Sequence, residues 1–269
     1  MYIRYQPTTI DYANRAVSYG DGCFTTAVWQ DNTLQLKKEH LARLQQGCDQ
    51  LHIVGFAPTT LESYLDEHVI PQLTHDCVIK ILVSIAAGGR GYQRPESPNI
   101  DVYITQHPMP KHYQMWQQQG VKLGVSSMPL AKQPKLAGIK HLNRLEQVLV
   151  KNQCLGNVDD LIVLDSDGMM VEVSSANIFW RFGQQWYTPE LYYCGVAGVV
   201  RGKILETQQR TLPVSVVRAK PSVLLRADEV FICNSVMGLV PVNKICLNEQ
   251  QSIDFDMVSS YFQQLNDCL

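Results

Sequence analysis

The chain has 269 residues, a length that suits one large domain or two modest ones. Hydrophobic residues make up 45% and charged residues 18%, which are the proportions of an ordinary globular protein. A net charge of -2 and a pI of about 6.4 supply no basic field for nucleic acid, and no block of like charges appears.

The start, Met1 to Pro7, lacks the apolar run of a secretory signal. The longest apolar runs, such as Val78 to Ile85, are interrupted by Lys80 and Ser84 and are too short to span a bilayer. The expectation is a cytoplasmic protein without a membrane partner. Eight cysteines, at 23, 48, 77, 154, 194, 233, 246 and 268, are scattered without a C-x-x-C pair. That scatter suits reduced thiols packed as small hydrophobes. The seven histidines form no metal-spaced cluster, so no metal is expected.

Residues 1 to about 36 read as short strands and turns. Tyr19-Gly20-Asp21-Gly22 is a turn signal, and Cys23 to Trp29 is rich in strand formers. Asp31-Asn32 marks a second turn before the strand Thr33 to Leu36. Lys38 to about Gln50 is predicted helical, with Leu41, Leu44 and Cys48 on its apolar face and Arg43 off that stripe. Arg43 there is either an exposed helix arginine or a ligand for an anion.

A second helix is predicted from Thr60 to about Leu73, capped by Thr59 or Thr60. Cys77 to Ile85 follows as a buried strand, and Ile100 to Gln106 as another. Between them, Gly88-Gly89-Arg90-Gly91-Tyr92 places three glycines around one arginine. It is either a flexible hairpin or a loop whose backbone passes close to a ligand. The pattern is not G-x-G-x-x-G and opens no helix, so it is no dinucleotide fingerprint.

His107-Pro108-Met109-Pro110-Lys111 is the best domain boundary. It separates a small N-terminal domain, residues 1–107, from a larger C-terminal domain, residues 121–269, with 108–120 as linker. Val121 to Ser127 is predicted as a strand.

The run Leu136 to Gln147 comes next. It is apolar or conformationally permissive up to Lys140, and then a helical pattern begins with Leu142, Leu145, Leu149 and Val150 on one face. A lysine at such a junction can be held at a cavity edge by backbone on both sides. Partial desolvation there would lower its pKa and make the amine nucleophilic, as Schiff-base chemistry requires. A solvated surface lysine is the plain alternative.

Asp160 to Leu164, Met169 to Val173 and Ile178 to Arg181 read as consecutive strands, with a turn at Asp165 to Gly168 and a small polar patch, Ser174 to Asn177. Glu172 lies within an apolar strand, so it either points outward or is buried against a cation. Gly195 to Leu205 is a glycine-punctuated turn entering a helix. Such an entry is either a plain cap or a place where free N–H groups meet a phosphate. Ser222 caps a short helix, and the strand Glu229 to Cys233 ends in Asn234-Ser235. A nucleophilic lysine, an off-face arginine, a glycine-opened helix start and a strand-borne glutamate are the parts that a pyridoxal-phosphate site needs.

The chain resembles the fold-type IV pyridoxal-phosphate enzymes, the class of branched-chain and D-amino-acid aminotransferases. The likeness rests on Tyr19 to Thr26, His40-Leu41-Ala42-Arg43-Leu44, Gly89 to Tyr92, Ala137 to Gln147, Glu172 to Phe179 and Gly198 to Arg201. Within the class, the Gly-Ile-Lys-His-Leu-Asn-Arg-Leu-Glu form at 138–146 is similar to the aminodeoxychorismate lyases of folate biosynthesis. One departure from the aminotransferases is Leu145, five residues past the lysine, where they commonly carry a tyrosine. The lyases share that change.

The resemblance implies an α/β (α+β) fold of two domains with pyridoxal 5'-phosphate between them, and a homodimer whose partner chain helps to close each site. It makes Lys140 the Schiff-base lysine, Arg43 a phosphate ligand and Glu172 the partner of the pyridine nitrogen. The Val199 and Val200 amides and Ser235, with Asn234 as its rival, would complete the phosphate cup, and Asn177 would lie at the cofactor. Arg90, Tyr92 and Thr25 would meet the substrate, and Thr25, Thr26 and Lys140 are candidates for the acid at the leaving oxygen. The activity implied is conversion of 4-amino-4-deoxychorismate to 4-aminobenzoate and pyruvate. An aminotransferase of the same class and a non-catalytic protein that keeps the fold are the alternatives.

Overall fold

The structure, a computed structural model, describes residues 1–154, 156–207 and 214–256, so Cys268 lies outside the described residues. The chain divides into two compact units. The first comprises Met1–Met109 with Ile139–Asn143, and the second Pro110–Gly138 with Arg144–Leu269. The short segment that bears Lys140 therefore packs with the first unit, whereas the sequence placed it on the C-terminal domain.

In chain order the first unit runs β1 (Tyr2–Tyr5), α1 (Arg15–Tyr19), β2 (Gly22–Gln30), β3 (Thr33–Leu34), α2 (Lys37–Gln50), α3 (Pro58–Tyr64), β4 (Cys77–Ile85) and β5 (Ile100–Pro108). Its five-stranded sheet has the order β1-β5-β4-β2-β3 and is antiparallel except for β1 beside β5. Side chains alternate along β2, so Cys23, Ala27 and Trp29 face the core with Leu41, Leu44 and Cys48 of α2. Burying each large apolar side chain there contributes about 1.5–3 kcal/mol. Phe24 and Thr26, half-buried, point to the other face of the sheet.

The second helix begins earlier than expected. Pro58 stands at its first position, where a fixed φ suits a helix start, and the cap is Ala57 without a side-chain bond rather than Thr59 or Thr60. A wide turn at Leu65–Val69 and a tight one at Ile70–Gln72, which contains Pro71, then break what the sequence read as one helix.

The second unit runs α4 (His112–Gln119), β6 (Val121–Val125), α5 (Leu145–Lys151), β7 (Asp160–Leu164), β8 (Met170–Val173), β9 (Asn177–Phe182), β10 (Gln185–Pro189), α6 (Val199–Thr207), β11 (Val214–Val217), β12 (Glu229–Asn234), β13 (Gly238–Cys246) and β14 (Ser252–Asp254). Its sheet has the order β11-β10-β9-β12-β13-β6-β7-β8, with β14 on β13. The stretch expected as linker carries α4, whose Trp116 is buried in this unit's core with Leu123, Ile178, Trp180 and Ile232. The stripe expected after Lys140 also differs. Of its members Val150 is buried, whereas Leu145 and Leu149 are exposed at 69% and 44%. No helix among the described residues is long and apolar enough to cross a membrane.

Candidate active site

In the first unit Lys140 lies on an extended strip rather than at a helix start. Phe24 N–H donates to Lys140 O at 2.9 Å and Leu142 N–H to Gly22 O at 3.0 Å, so the strip pairs with the first residues of β2. Gly22 leaves no room for a side chain: a Cβ there would overlap the Val83 carbonyl oxygen of β4 and lie 3.0 Å from Leu142 Cδ1. Lys140 Nζ sits 4.7 Å from the centre of the Phe24 ring, and Lys80 Nζ lies 4.9 Å from the same ring. The apolar ring thus shares the neighbourhood of two amines, as a cation–π contact allows.

Arg43 reaches from α2 to β2, where its Nη2 donates to the Thr25 hydroxyl. That hydroxyl also lies 2.5 Å from His40 Nδ1. Arg43 Nε is buried and has no partner among the described residues. Burial lowers the guanidinium's pKa to about 10, and among the described residues no carboxylate offsets its charge. A buried cation without a counter-charge is an anion site in waiting. Thr25 is fully buried, and its hydroxyl meets these two side chains.

The glycine loop is tied rather than loose. Arg15, 4% exposed, donates to the carbonyls of Gly88, Gly91, Tyr92 and Gln93. Its Nε bonds Asp21 at 2.8 Å, and Arg94 meets the same carboxylate. Burial would raise the Asp21 pKa, but hydrogen bonds from Arg94 and Arg15 outweigh it and hold it below the ordinary value. Arg90 and Tyr92 stand outward on this loop, Tyr92 being 89% exposed with its ring edge-on to Tyr19.

In the second unit Glu172 points inward, 4% exposed on β8. Its Oε2 accepts from Val196 N–H at 2.9 Å. Arg144 lies within electrostatic reach: burial lowers its pKa, and the charges of Glu172 and Glu146 oppose that. The Val196 carbonyl accepts from Asn177 Nδ2 at 2.9 Å, so Glu172 and Asn177 hold Val196 by the two peptide units on either side of its Cα. Gly195, with φ of 89°, lies so close that a Cβ would sit 2.6 Å from Val171 Cγ1 and 3.4 Å from Glu172 Oε2. A Cβ on Gly198 would overlap Asn177 Oδ1.

This gripped turn leads directly into α6. Its first helical bond shown is Gly202 N–H to Gly198 O, at 2.9 Å. The N–H groups of Val199 and Val200 therefore lie outside the helix's own ladder, with the positive end of the helix dipole behind them. Both side chains are buried. Arg201 is buried beside them, with Nη2 on the Pro189 carbonyl and Nε without a partner among the described residues.

Between the rivals at the end of β12, the Asn234 side chain is committed to the turn. It accepts from the amides of Val236 and Met237 and donates to the Ser175 carbonyl. Ser235, half-buried, is the residue that the turn carries.

Arg144 and Val196 escaped the sequence reading, although both stand inside motifs it singled out. His40 was noticed only as part of a motif. Its spacing of three from Arg43 on a helix was the available signal, since such residues share a side. Among the described residues no group of three or more His, Cys, Asp or Glu could hold a metal ion.

The first unit thus carries a lysine beside an aromatic ring and a half-buried arginine, and the second an amide-fixed glutamate and a glycine-led helix start, residue types that pyridoxal-phosphate chemistry uses. Comparisons with known proteins agree with that chemistry. Residues 22–245 match the family described as Amino-transferase class IV. An aminodeoxychorismate lyase of Vibrio harveyi is 37% identical over 92% of this chain and 91% of its own length. A D-alanine aminotransferase of Bacillus licheniformis is 26% identical over 88% of this chain and 83% of its own. The crystal structure of 4-amino-4-deoxychorismate lyase from Pseudomonas aeruginosa superposes with a TM-score of 0.88 at 32% identity, covering 97% of this chain and 94% of that one. The branched-chain amino acid aminotransferase of Escherichia coli has the same fold, with a TM-score of 0.81 at 20% identity over 96% of this chain and 88% of its own. The fold is thus fold-type IV, and the chain belongs to the class IV aminotransferase family.

Proposed function

We propose that this protein is a pyridoxal-phosphate-dependent carbon–oxygen lyase that converts 4-amino-4-deoxychorismate to 4-aminobenzoate and pyruvate. The cofactor reading is carried by Glu172, a buried carboxylate fixed by the Val196 amide, as a protonated ring nitrogen requires. The lyase reading over an aminotransferase is supported by 37% identity to the Vibrio lyase, against 26% to the D-alanine aminotransferase, and by Leu145 where aminotransferases carry tyrosine.

Pyridoxal phosphate, when bound, supplies an aldehyde that takes an amine and a ring that accepts electron density. Lys140 is the residue that would hold that aldehyde. Its neutral amine would take the proton from C4 of the substrate as the C3–O bond breaks, the leaving oxygen would take a proton, and the enolpyruvate so formed would become pyruvate. The remaining ring is aromatic, and that gain drives the step, so the protein's task is to position and deprotonate. Glu172 keeps a proton on the ring nitrogen. Arg43, the Val199 and Val200 amides and the Ser235 hydroxyl hold the phosphate, and Asn177 holds the turn that presents those amides. Thr25, Thr26 and Lys140 are the candidates for protonating the leaving oxygen. Arg90 and Tyr92 on the tied loop receive the substrate carboxylates, and the active protein is a homodimer.

The test is incubation of the cofactor-loaded protein with 4-amino-4-deoxychorismate while both products are followed. Equal amounts of 4-aminobenzoate and pyruvate are expected. A yellow protein that forms neither product, yet loses its absorption band on addition of D-alanine, would be an aminotransferase and not this lyase.

A further inference from the structure

Buried Thr25 and His40 and half-buried Arg43 make a group of three whose proton arrangement can be deduced. Arginine only donates, so the Arg43 bond occupies a lone pair of the Thr25 oxygen. The hydroxyl proton then needs an acceptor, and the only other side chain on it among the described residues is His40, through Nδ1 at 2.5 Å. His40 is therefore the acceptor at Nδ1 and carries its proton on Nε2, an atom that is buried without a partner among the described residues. An unsatisfied buried donor is costly. The chain bears that cost beside a guanidinium whose own Nε is also unpartnered.

We propose that His40 is a positioning residue: through the Thr25 hydroxyl it fixes the guanidinium plane of Arg43 and so presents Arg43 to a phosphate. The inference rests on the reading of Arg43 as a phosphate ligand. A free arginine side chain samples many rotamers, and ordering it costs binding free energy. An acceptor on Thr25 that is itself held by His40 removes part of that disorder before the anion arrives. His40 and Arg43, three apart on α2, are on the same side of one rigid helix, and Thr25 stands on the strand beneath it.

The test measures dissociation constants of the apoprotein for pyridoxal phosphate and for pyridoxal, which lacks the phosphate, by spectral titration. Thr25→Val and His40→Leu are expected to weaken pyridoxal phosphate about tenfold, the worth of one charge-assisted hydrogen bond, and to leave pyridoxal unchanged. His40→Asn, whose amide oxygen can accept from the same hydroxyl, should restore most of the affinity and guards against a mere folding defect. In an Arg43→Met background, Thr25→Val should have no further effect. Equal losses for both ligands, or a failure of His40→Asn to rescue, would overturn the positioning role. So would loss of phosphate discrimination in Arg43→Met alone, with His40→Leu like wild type. If Arg43→Met itself binds both ligands as wild type does, the phosphate role of Arg43 fails first.

Discussion

His40 also makes a prediction of its own. Burial, and secondly the charge of Arg43, lower its pKa from 6.5 to about 3. The unfolded chain binds the imidazole proton near pH 6.5, whereas the folded chain binds it only near pH 3. Between those values the unfolded state holds the extra proton, so stability is full above pH 6.5 and falls as the pH drops. At pH 5.0 the loss is about 2 kcal/mol, from roughly 1.4 kcal/mol per pH unit. Urea unfolding at pH 7.5 and 5.0 should therefore show wild type losing about 2 kcal/mol more than His40→Asn. Equal losses would mean that the ring is not held neutral. At this scale the sequence names residue types but not their partners. Glu172 could be read as outward or buried, and the structure places it inward because the Val196 amide, 24 residues away, meets it. Local pattern does not report such a partner.

At the level of elements, the entry into α6 depends on two glycines for different reasons. Gly195 needs its left-handed backbone, whereas at Gly198 the obstacle is Asn177 Oδ1 alone. Gly198→Ala must turn Asn177 away and break its bond to the Val196 carbonyl, at a cost of about 1–3 kcal/mol. Gly202, in the same helix, has open space where its Cβ would be, so Gly202→Ala should stabilise by up to about 1 kcal/mol. Thermal unfolding of the two variants should shift in opposite directions, and a Gly198→Ala protein as stable as wild type would show that the turn is not gripped as described. Most strands were legible because runs such as Cys77–Ile85 combine length with β-branching. The helices were less so. Apolar spacing after Lys140 suggested a buried stripe, but α5 turns Leu145, Val148 and Leu149 outward, and periodicity alone cannot say which face is covered.

Over the whole molecule, chain order and packing part company at the lysine. Ile139–Asn143 joins the sheet of the first unit while the residues on either side of it belong to the second. A sequence reading that cuts the chain once, near Pro108, cannot represent such a return, because the pairing of Lys140 with Phe24 spans more than a hundred residues. The same exchange makes the identity of the reactive amine a sharp question, since Lys80 lies as near the Phe24 ring as Lys140 does. Reduction of the yellow, cofactor-loaded protein with borohydride, followed by peptide mass mapping, answers it. The account predicts the pyridoxyl group on the peptide containing Lys140 and on no other. A label on Lys80, or none on Lys140, would contradict the assignment on which the proposed chemistry is built.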